Sequence, residues 1–155
     1  MSQVKTSHGY GIGIITLIVG LSVSIGYYQM YYLPEQSAKP SVSEHILHPT
    51  NPENIINIIP GSAFEDQQDN FVPKLVNIQL GIDNYVIWFN EDDVAHTVTP
   101  DHRTSDSYSG EFGSPGVVLP GETYEFLFTE PHSISYFCQP HPWMTGTLEI
   151  TKQRF

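Results

Sequence analysis

Hydrophobic and polar residues alternate through much of the chain after residue 54. The clearest runs place apolar side chains at every second position: Val76, Ile78 and Leu80; Tyr124, Phe126 and Phe128; Ile134, Tyr136 and Cys138. A period of two is typical of a β-strand with one buried face. Turn residues such as Pro60-Gly61 and Pro120-Gly121 separate the runs at the short intervals of an all-β domain. The pattern therefore predicts an antiparallel β-sandwich or barrel.

Further strands are predicted from shorter or mixed apolar runs. These are residues 55–59, 85–89, 94–98 and 148–150. In the third of them Val94, His96 and Val98 would share one face, which directs the histidine into the apolar interior. Residues 62–73 are predicted to form an irregular loop. Residues 100–117, rich in Pro, Gly, Ser and Asp, are predicted to be the longest irregular insert of the domain.

The N-terminal part has a different pattern, because no charged residue occurs from Gly9 to Leu33. The apolar run reaches the roughly 20 residues that a membrane-spanning helix needs, and four tyrosines at its end resemble the aromatic belt of a membrane interface. We interpret residues 9–32 as a retained membrane anchor. The alternative is a cleaved signal peptide, with Ser24 and Gly26 at the processing site. Both interpretations export the domain that follows.

This interpretation divides the chain into three parts. Residues 1–33 form the N-terminal anchor, residues 34–53 a linker rich in Pro and Ser, and residues 54–155 the β domain. Such a linker is semi-extended and holds the domain away from the bilayer. Lys5 before the apolar run and Glu35 after it favour a cytoplasmic N-terminus. The predicted location is therefore the cell membrane, single-pass, with the C-terminal domain on the extracytoplasmic side.

The charge of the chain restricts its partners. Six Lys and Arg residues stand against 17 Asp and Glu, which gives a formal net charge of -11. Phosphate backbones demand the opposite sign, so the charge argues against nucleic acid as a partner, and we predict none. An acidic surface favours protein partners that present basic patches and accelerates encounter with them. Solubility alone would explain the same charge.

The strongest chemical signal lies near the C-terminus. Cys138 is the only cysteine, which excludes an intrachain disulfide, and His141 and Met144 follow it at intervals of three. A thiolate, an imidazole and a thioether on one loop form a soft ligand set. A second imidazole, from His96, would complete a trigonal His2Cys site with a weak axial Met, the arrangement that selects copper for electron transfer. The sequence thus predicts one type 1 copper ion, alternating between Cu(I) and Cu(II).

The residues around this loop narrow the chemistry. Pro140 and Pro142 fix the backbone on both sides of His141, and Gly146 lets the chain leave the turn. Four protein ligands leave no position for a substrate, so we predict an electron-transfer protein and not an enzyme. Three other kinds of metal site do not fit the sequence. A binuclear copper centre would need two cysteines, and the electron relay of a multicopper oxidase needs a histidine next to Cys138. A structural zinc site would not use Met.

Four of the five other histidines need a separate explanation. His45 and His48 lie in linker-like sequence with no further ligand nearby, and His102 and His132 could join a second metal site only with added partners. Ordinary solvated side chains are the simpler interpretation of all four.

Two segments carry a family resemblance. Cys138-Gln-Pro-His141-Pro-Trp-Met144 resembles the short C-x-x-H-x-x-M ligand loop of amicyanin. The stretch from Val86-Ile-Trp-Phe-Asn90 to His96-Thr-Val-Thr is similar to plastocyanin, amicyanin and the membrane-anchored archaeal halocyanins. The likeness extends over about residues 54–151 and identifies this part as a member of the cupredoxin family.

The resemblance implies a Greek-key β-sandwich of about eight strands with one type 1 copper near one end. By the same resemblance His96, Cys138 and His141 are the equatorial ligands, Met144 is the axial ligand, and Asn90 helps to hold the strand of the first histidine. The sequence departs from the family in the 100–117 insert and in His132-Ser-Ile-Ser, where a Gly-rich turn is commoner. These departures bear on loop shape and partner surface.

The predicted function is a membrane-tethered carrier of single electrons between redox protein partners on the outer face of the membrane. In the resembling proteins electrons pass through a small apolar patch, which here would consist of His141, Pro140, Pro142 and Trp143. Trp143 could instead only pack the loop. The alternative function is an accessory cupredoxin subunit of a larger copper-containing membrane complex, whose helices would pack against the small residues of the anchor.

Overall fold

The computed structural model describes residues 8–37, 41–51 and 54–152, which form two compact units. The boundary between the units lies between Lys39 and Pro40. Lys5, on which the predicted membrane orientation depends, lies outside the described residues. So do residues 38–40 and 52–53 of the predicted linker.

The first unit is one continuous helix with a change of winding. Its parts are α1 (His8–Tyr27), a π-helical turn (Tyr28–Tyr32) and α2 (Leu33–Ser37). Gly11–Glu35 is long and apolar enough to cross a membrane, and its apolar side chains are exposed. A signal sequence near the N-terminus has the same properties, so the helix itself agrees with both interpretations of the sequence.

The second unit begins with a short helix and continues as a β-sandwich. The elements are α3 (Glu44–Leu47), β1 (Asn54–Ile58), β2 (Phe71–Val72), β3 (Leu75–Gln79), β4 (Tyr85–Asn90), β5 (Thr99–Pro100), β6 (Ser105–Asp106), β7 (Gly110–Glu111), β8 (Thr123–Leu127), β9 (His132–Phe137) and β10 (Thr145–Thr151). The long strands coincide with the runs of alternating residues in the sequence.

Eight of the strands form two four-stranded sheets, in the orders β2-β1-β4-β8 and β3-β10-β9-β5, and β6 and β7 form a separate hairpin. β1 is parallel to β4 and β3 is parallel to β10. Because parallel neighbours need crossover connections, this arrangement is of the Greek-key kind. The predicted all-β sandwich is confirmed. The two sheets hold eight strands, as expected, and the hairpin of the insert brings the described strands to ten.

The core lies between the two sheets and is rich in aromatic rings. Trp88 of β4 contacts Tyr136 of β9 edge-on at 5.7 Å between ring centroids, and Phe71 of β2 contacts Tyr136 at 5.0 Å. In the β9–β10 pairing Tyr136 lies opposite Gly146, and a Cβ atom at position 146 would overlap the tyrosine ring. Glycine is therefore required here, two residues after the end of the candidate ligand loop.

The prediction of a strand at residues 94–98 is wrong. This segment makes only one bridge, between His96 and Val118, and Val94 is exposed while His96 and Val98 are buried. The reason is that side chains replace the ladder here: the carboxamide of Asn90 donates to the carbonyls of Val94 and Val118, at 2.8 and 2.9 Å. The segment is a loop held by hydrogen bonds from a side chain.

The insert at residues 100–117 is more ordered than its composition indicates. It contains the β6–β7 hairpin, and it places Phe112 in the core with 2 % of its surface exposed. The ring of Phe112 lies 5.3 Å from Phe126 and 5.4 Å from Phe128, centroid to centroid. The insert is thus anchored in the sandwich by an aromatic side chain.

Residues 41–51, which the sequence assigns to the linker, contact the sandwich. The side-chain amide of Asn84 donates to the carbonyl of Ile46 at 2.9 Å, and the amide of Asn51 donates to Ile82 at 2.6 Å. Ile46 packs against the core. Asn84 immediately precedes β4, whereas the loop with His96 follows β4, so these contacts lie at the opposite end of the sandwich from His96.

Candidate metal centre

The loop between β9 and β10 folds back on itself through three backbone hydrogen bonds. The amide of His141 donates to Cys138 at 3.1 Å, and the amide of Met144 donates to His141 at 2.9 Å. The amide of Cys138 in turn donates to the carbonyl of Met144 at 3.1 Å. Two consecutive tight turns therefore bring three predicted ligand residues to one end of the sandwich.

His96 approaches this loop from the segment that follows β4. Its backbone pairs with Val118 in both directions, at 3.1 and 2.7 Å, and its side chain is completely buried. Cys138 and Met144 are also completely buried, whereas His141 is partly exposed. At this end of the sandwich His96, Cys138 and Met144 are therefore enclosed in the protein, and His141 lies on the outer side, toward solvent.

Three potential donor atoms converge at this point. Nδ1 of His96 lies 3.6 Å from Sγ of Cys138, Nδ1 of His141 lies 3.5 Å from the same sulfur, and the two nitrogens are 3.2 Å apart. In the described part of the chain these residues form the one group of three or more His, Cys, Asp and Glu residues that could hold a metal ion. The predicted convergence of His96 with the loop is therefore present in the structure.

The spacing of the donors fits a metal ion of the first transition row. Bonds of about 2.0 Å to nitrogen and about 2.3 Å to sulfur, spread over a trigonal plane, separate the donors by about 3.5 to 3.7 Å. The observed separations of 3.2 to 3.6 Å are close to this value. A thiolate with two imidazoles in such a plane, and a buried Met on the same loop, is the donor set that copper prefers.

The model of the plastocyanin/azurin family of copper-binding proteins matches residues 62–151. The chain belongs to this family. Its structure is similar to a purple cupredoxin from Nitrosopumilus maritimus, with 25% identity over 63% of this chain and 98% of that chain and a TM-score of 0.51. The predicted copper-binding cupredoxin is confirmed by this match and this likeness.

Two other solved structures resemble this cupredoxin. A copper-containing nitrite reductase from Thermus scotoductus has a TM-score of 0.50 at 20% identity, over 76% of this chain and 28% of the reductase. A methionine variant of amicyanin in its Cu(I) form has a TM-score of 0.46 at 19% identity, over 63% of this chain and 80% of amicyanin. At these identities the reductase likeness shows a shared fold alone.

The sulfur of the cupredoxin site receives hydrogen bonds from Thr97, a residue that the sequence analysis did not single out. The backbone amide of Thr97 donates to Sγ of Cys138 at 3.3 Å. The hydroxyl of Thr97 accepts a hydrogen bond from the amide of Gln139 at 2.8 Å. Hydrogen bonds to a ligating sulfur tune its electron donation, so Thr97 connects the two segments and also acts on the thiol.

Asp92 is the second residue without a predicted role. Its carboxylate lies 2.9 Å from Nε2 of His96 and is 95 % buried, since only 5 % of the residue is exposed. Burial raises the pKa of Asp92. The hydrogen bonds from Gly61, His96, Asp93 and Ala63 together lower it by more than burial raises it, so the net shift is downward. The sequence offered one sign of this contact, a carboxylate four residues before the histidine. That spacing brings side chains together on a helix, but it predicts little in a loop.

His96 itself is held neutral. Burial lowers the pKa of His96, the hydrogen bond and charge of Asp92 oppose this shift, and the nearby His141 adds to it, with a net downward shift. A neutral imidazole with its proton on Nε2, toward Asp92, presents the lone pair of Nδ1 toward Cys138. This is the protonation state that a metal ligand requires.

The predicted apolar surface surrounds His141. Pro140 and Pro142 are exposed, and Trp143 is half-buried with its ring 5.4 Å from the imidazole of His141. The indole Nε1 of Trp143 also donates to the carbonyl of Ser62 at 3.1 Å. Trp143 therefore packs the loop against the segment after β1, and it also borders the exposed histidine.

Proposed function

We propose that the chain is a membrane-tethered type 1 copper protein that carries single electrons between redox proteins. In this proposal His96, Cys138 and His141 are the equatorial ligands and Met144 is the axial ligand. The observation that carries it is the convergence of two Nδ1 atoms and one thiol sulfur within 3.6 Å of one another at the end of a cupredoxin sandwich.

The protein supplies a rigid, mostly dry ligand set. Copper, when bound, supplies the Cu(I)/Cu(II) couple. Residues of this chain hold the proposed ligands in place: Asn90 secures the segment of His96, Thr97 links that segment to Cys138, and the two turns fix His141 relative to the sulfur. A site whose ligands do not move exchanges an electron with little rearrangement, which suits a carrier.

The outer edge of His141 is the proposed point of electron entry and exit. The partly exposed imidazole is flanked in the chain by Pro140 and Pro142 and borders the ring of Trp143. A transient redox contact at this apolar surface is expected to bury less than about 1,200 Å². The net charge of -11 favours partners with basic patches. Four protein ligands leave no open coordination position, which supports a carrier and not an enzyme.

The helix of residues 9–32 is proposed as the tether, with the copper domain on the extracytoplasmic side of the cell membrane. The support is its length, its apolar composition and the four tyrosines at its C-terminal end. Two pairs of these rings stack, Tyr27 on Tyr31 and Tyr28 on Tyr32, at 5.5 and 5.2 Å. We propose residues 1–33, 34–53 and 54–155 as the anchor, linker and copper domain.

The test of the metal centre is the absorption and EPR spectrum of the full chain, extracted in detergent and loaded with Cu(II). An intense visible band from thiolate-to-copper charge transfer, bleached by ascorbate, is expected. A colourless protein, or the EPR spectrum of a tetragonal Cu(II) site without sulfur, would refute the proposal.

An accessory subunit of a larger membrane complex is the second candidate, and one observation favours it. Gly11, Gly13, Gly20 and Gly26 leave open positions on the helix, where a Cβ atom would meet nothing within 4 Å. Small residues allow helices to approach each other closely in a membrane. Mild detergent extraction from the native membrane distinguishes the two functions, because a free carrier elutes alone and a subunit elutes with its complex.

A further inference from the structure

A buried carboxylate contacts the buried histidine of the copper site from the side away from the donors. Oδ2 of Asp92 lies 2.9 Å from Nε2 of His96, and neither residue has more than 5 % of its surface exposed. Nδ1 of the same ring lies 3.6 Å from the sulfur of Cys138. The imidazole therefore bridges the carboxylate and the thiol.

Asp92 cannot turn away from His96 because backbone amides hold it. Gly61 and Asp93 each donate to Oδ1 at 2.9 Å, and Ala63 donates to Oδ2 at 3.3 Å. The amide of Asp92 in turn donates to the side chain of Asn90 at 3.0 Å. Donors of this kind stabilise the ionised carboxylate, so a fixed negative charge lies against the ring.

The second histidine of the site has a different environment. His141 is partly exposed, its Nδ1 faces the sulfur and His96, and its ring borders Trp143. Among the described residues, no hydrogen-bond partner faces its Nε2. The two imidazoles therefore differ in one respect that bears on copper: His96 alone has an anionic acceptor.

We propose that Asp92 is a positioning residue that fixes the proton of His96 on Nε2 and lowers the reduction potential of the bound copper. An anionic acceptor makes the imidazole a stronger donor through Nδ1, and its charge favours Cu(II) over Cu(I). The same carboxylate joins the turn at Gly61 to the ligand segment. This inference rests on the ligand set proposed above.

The experiment compares two neutralising substitutions in the full, copper-loaded chain. Asp92→Asn keeps the size of the side chain and removes the charge, and Asp93→Asn removes the charge of an exposed neighbour. Removing the hydrogen-bond partner of a ligating histidine changes metal binding by about 10-fold or more. Because the charge of Asp92 favours Cu(II), Asp92→Asn should weaken the binding of Cu(II) and so favour Cu(I) over Cu(II) by about 10-fold. That change raises the potential by about 59 mV for one electron. Asp93→Asn should change it far less, because solvent screens its charge.

Two outcomes would overturn the inference: a potential of Asp92→Asn equal to that of the parent, or an equal rise in Asp93→Asn. If Asp92→Asn does not fold, NMR of the parent in its Cu(I) form decides, since a hydrogen-bonded Nε2–H of His96 should exchange slowly and resonate downfield. An Nε2–H that exchanges freely refutes the role of Asp92. A parent that binds copper without the charge-transfer band refutes the ligand set instead, so the two failures are distinguishable.

Discussion

Two irregular segments of the sandwich are each organised by a buried aspartate. Asp92 lies at the metal centre and joins the loop after β4 to the turn at Gly61. Asp106 lies in the insert, where its carboxylate accepts hydrogen bonds from the amide and the hydroxyl of Thr129, both at 2.6 Å. Tyr108, Ser109 and Glu130 donate to it as well.

The difference lies in what else each carboxylate contacts. Asp106 accepts hydrogen bonds from loop amides and one hydroxyl, whereas Asp92 also accepts one from the ring of His96. A buried aspartate therefore determines only the shape of a loop at position 106. At position 92 it determines both the shape of a loop and the protonation state of a proposed metal ligand. Changes at Asp106 should alter stability and leave the copper spectrum intact, while changes at the site should alter the spectrum first.

The largest expected effect is that of Cys138→Ser. Serine removes the only thiolate, so the charge-transfer band should disappear completely, although two imidazoles remain to bind some Cu(II) weakly. Ser135→Ala, a change of an exposed hydroxyl on β9, the strand that precedes Cys138, is the control and should keep the band. Absorption spectra of the copper-loaded proteins measure both. Retention of the band at its original intensity in Cys138→Ser would contradict the ligand assignment.

The next largest effect should come from the aromatic anchor of the insert. Phe112→Ala removes a side chain with 2 % of its surface exposed, and Phe→Ala in a core costs about 3–5 kcal/mol. The free energy of unfolding, measured with urea, should fall by this amount, while folded protein retains its copper band. A loss of the band with stability unchanged would show that the insert supports the site directly.

Asp106→Asn should have an intermediate effect, of about 2 kcal/mol, because it removes hydrogen bonds to a charged group. Burial raises the pKa of Asp106. The hydrogen bonds from Thr129, Ser109 and Tyr108 lower it by more than burial raises it, so the net shift is downward. Because the folded-state pKa is lowered, the ionised Asp106 stabilises the protein at pH values above the unfolded-state pKa of about 3.9. The protein loses this stabilisation as the pH falls through the folded-state pKa.

Unfolding curves at pH 7 and below pH 4 test the role of Asp106. The difference in stability between the parent and Asp106→Asn should be full at pH 7 and should shrink in the more acidic series, because the parent loses the contribution of the carboxylate there. Equal differences at both pH values would exclude a charged Asp106 as their cause.

The sequence predicted the long strands and the candidate ligands for the same physical reason. Alternation reports which face of a strand is buried, and it placed Cys138 in line with Ile134 and Tyr136 on a face that is indeed buried. His96 was predicted to point inward, and it does, although its strand is absent. The side chain of His96 still points inward because hydrogen bonds to Asn90 and Val118 hold the loop in place of a full strand ladder.

The remaining features depend on contacts between distant segments, which no local pattern reveals. The carboxylate of Asp92 meets amides about thirty residues earlier in the chain, and the amide of Thr97 meets a sulfur 41 residues later. Phe112 lies in a segment whose Gly, Ser and Pro content indicates a loop, yet its ring packs into the core and helps to anchor the segment. The contacts of residues 41–51 were equally hidden by a polar composition.

A smaller effect, on potential alone, is expected at the axial position. Met144→Leu keeps a buried apolar side chain but removes the thioether, which is proposed to donate weakly to copper and to favour Cu(II) slightly. The copper band should persist, and the preference for Cu(I) should rise by about 10-fold, or about 59 mV for one electron. Voltammetry of the loaded protein measures this change, and an unchanged potential would argue against Met144 as a ligand.

The smallest effect should come from the end of the sandwich opposite the copper site. Ile46 is partly buried against the core, so Ile46→Ala should cost about 1 kcal/mol, less than a fully buried residue. His48→Ala, at an exposed position of the same segment, is the matched control and should change stability by less than about 0.5 kcal/mol. If both variants unfold like the parent, residues 41–51 are a solvated tether, as their composition predicts. If only Ile46→Ala is destabilised, residues 41–51 belong to the copper domain, and the proposed linker is shorter than residues 34–53.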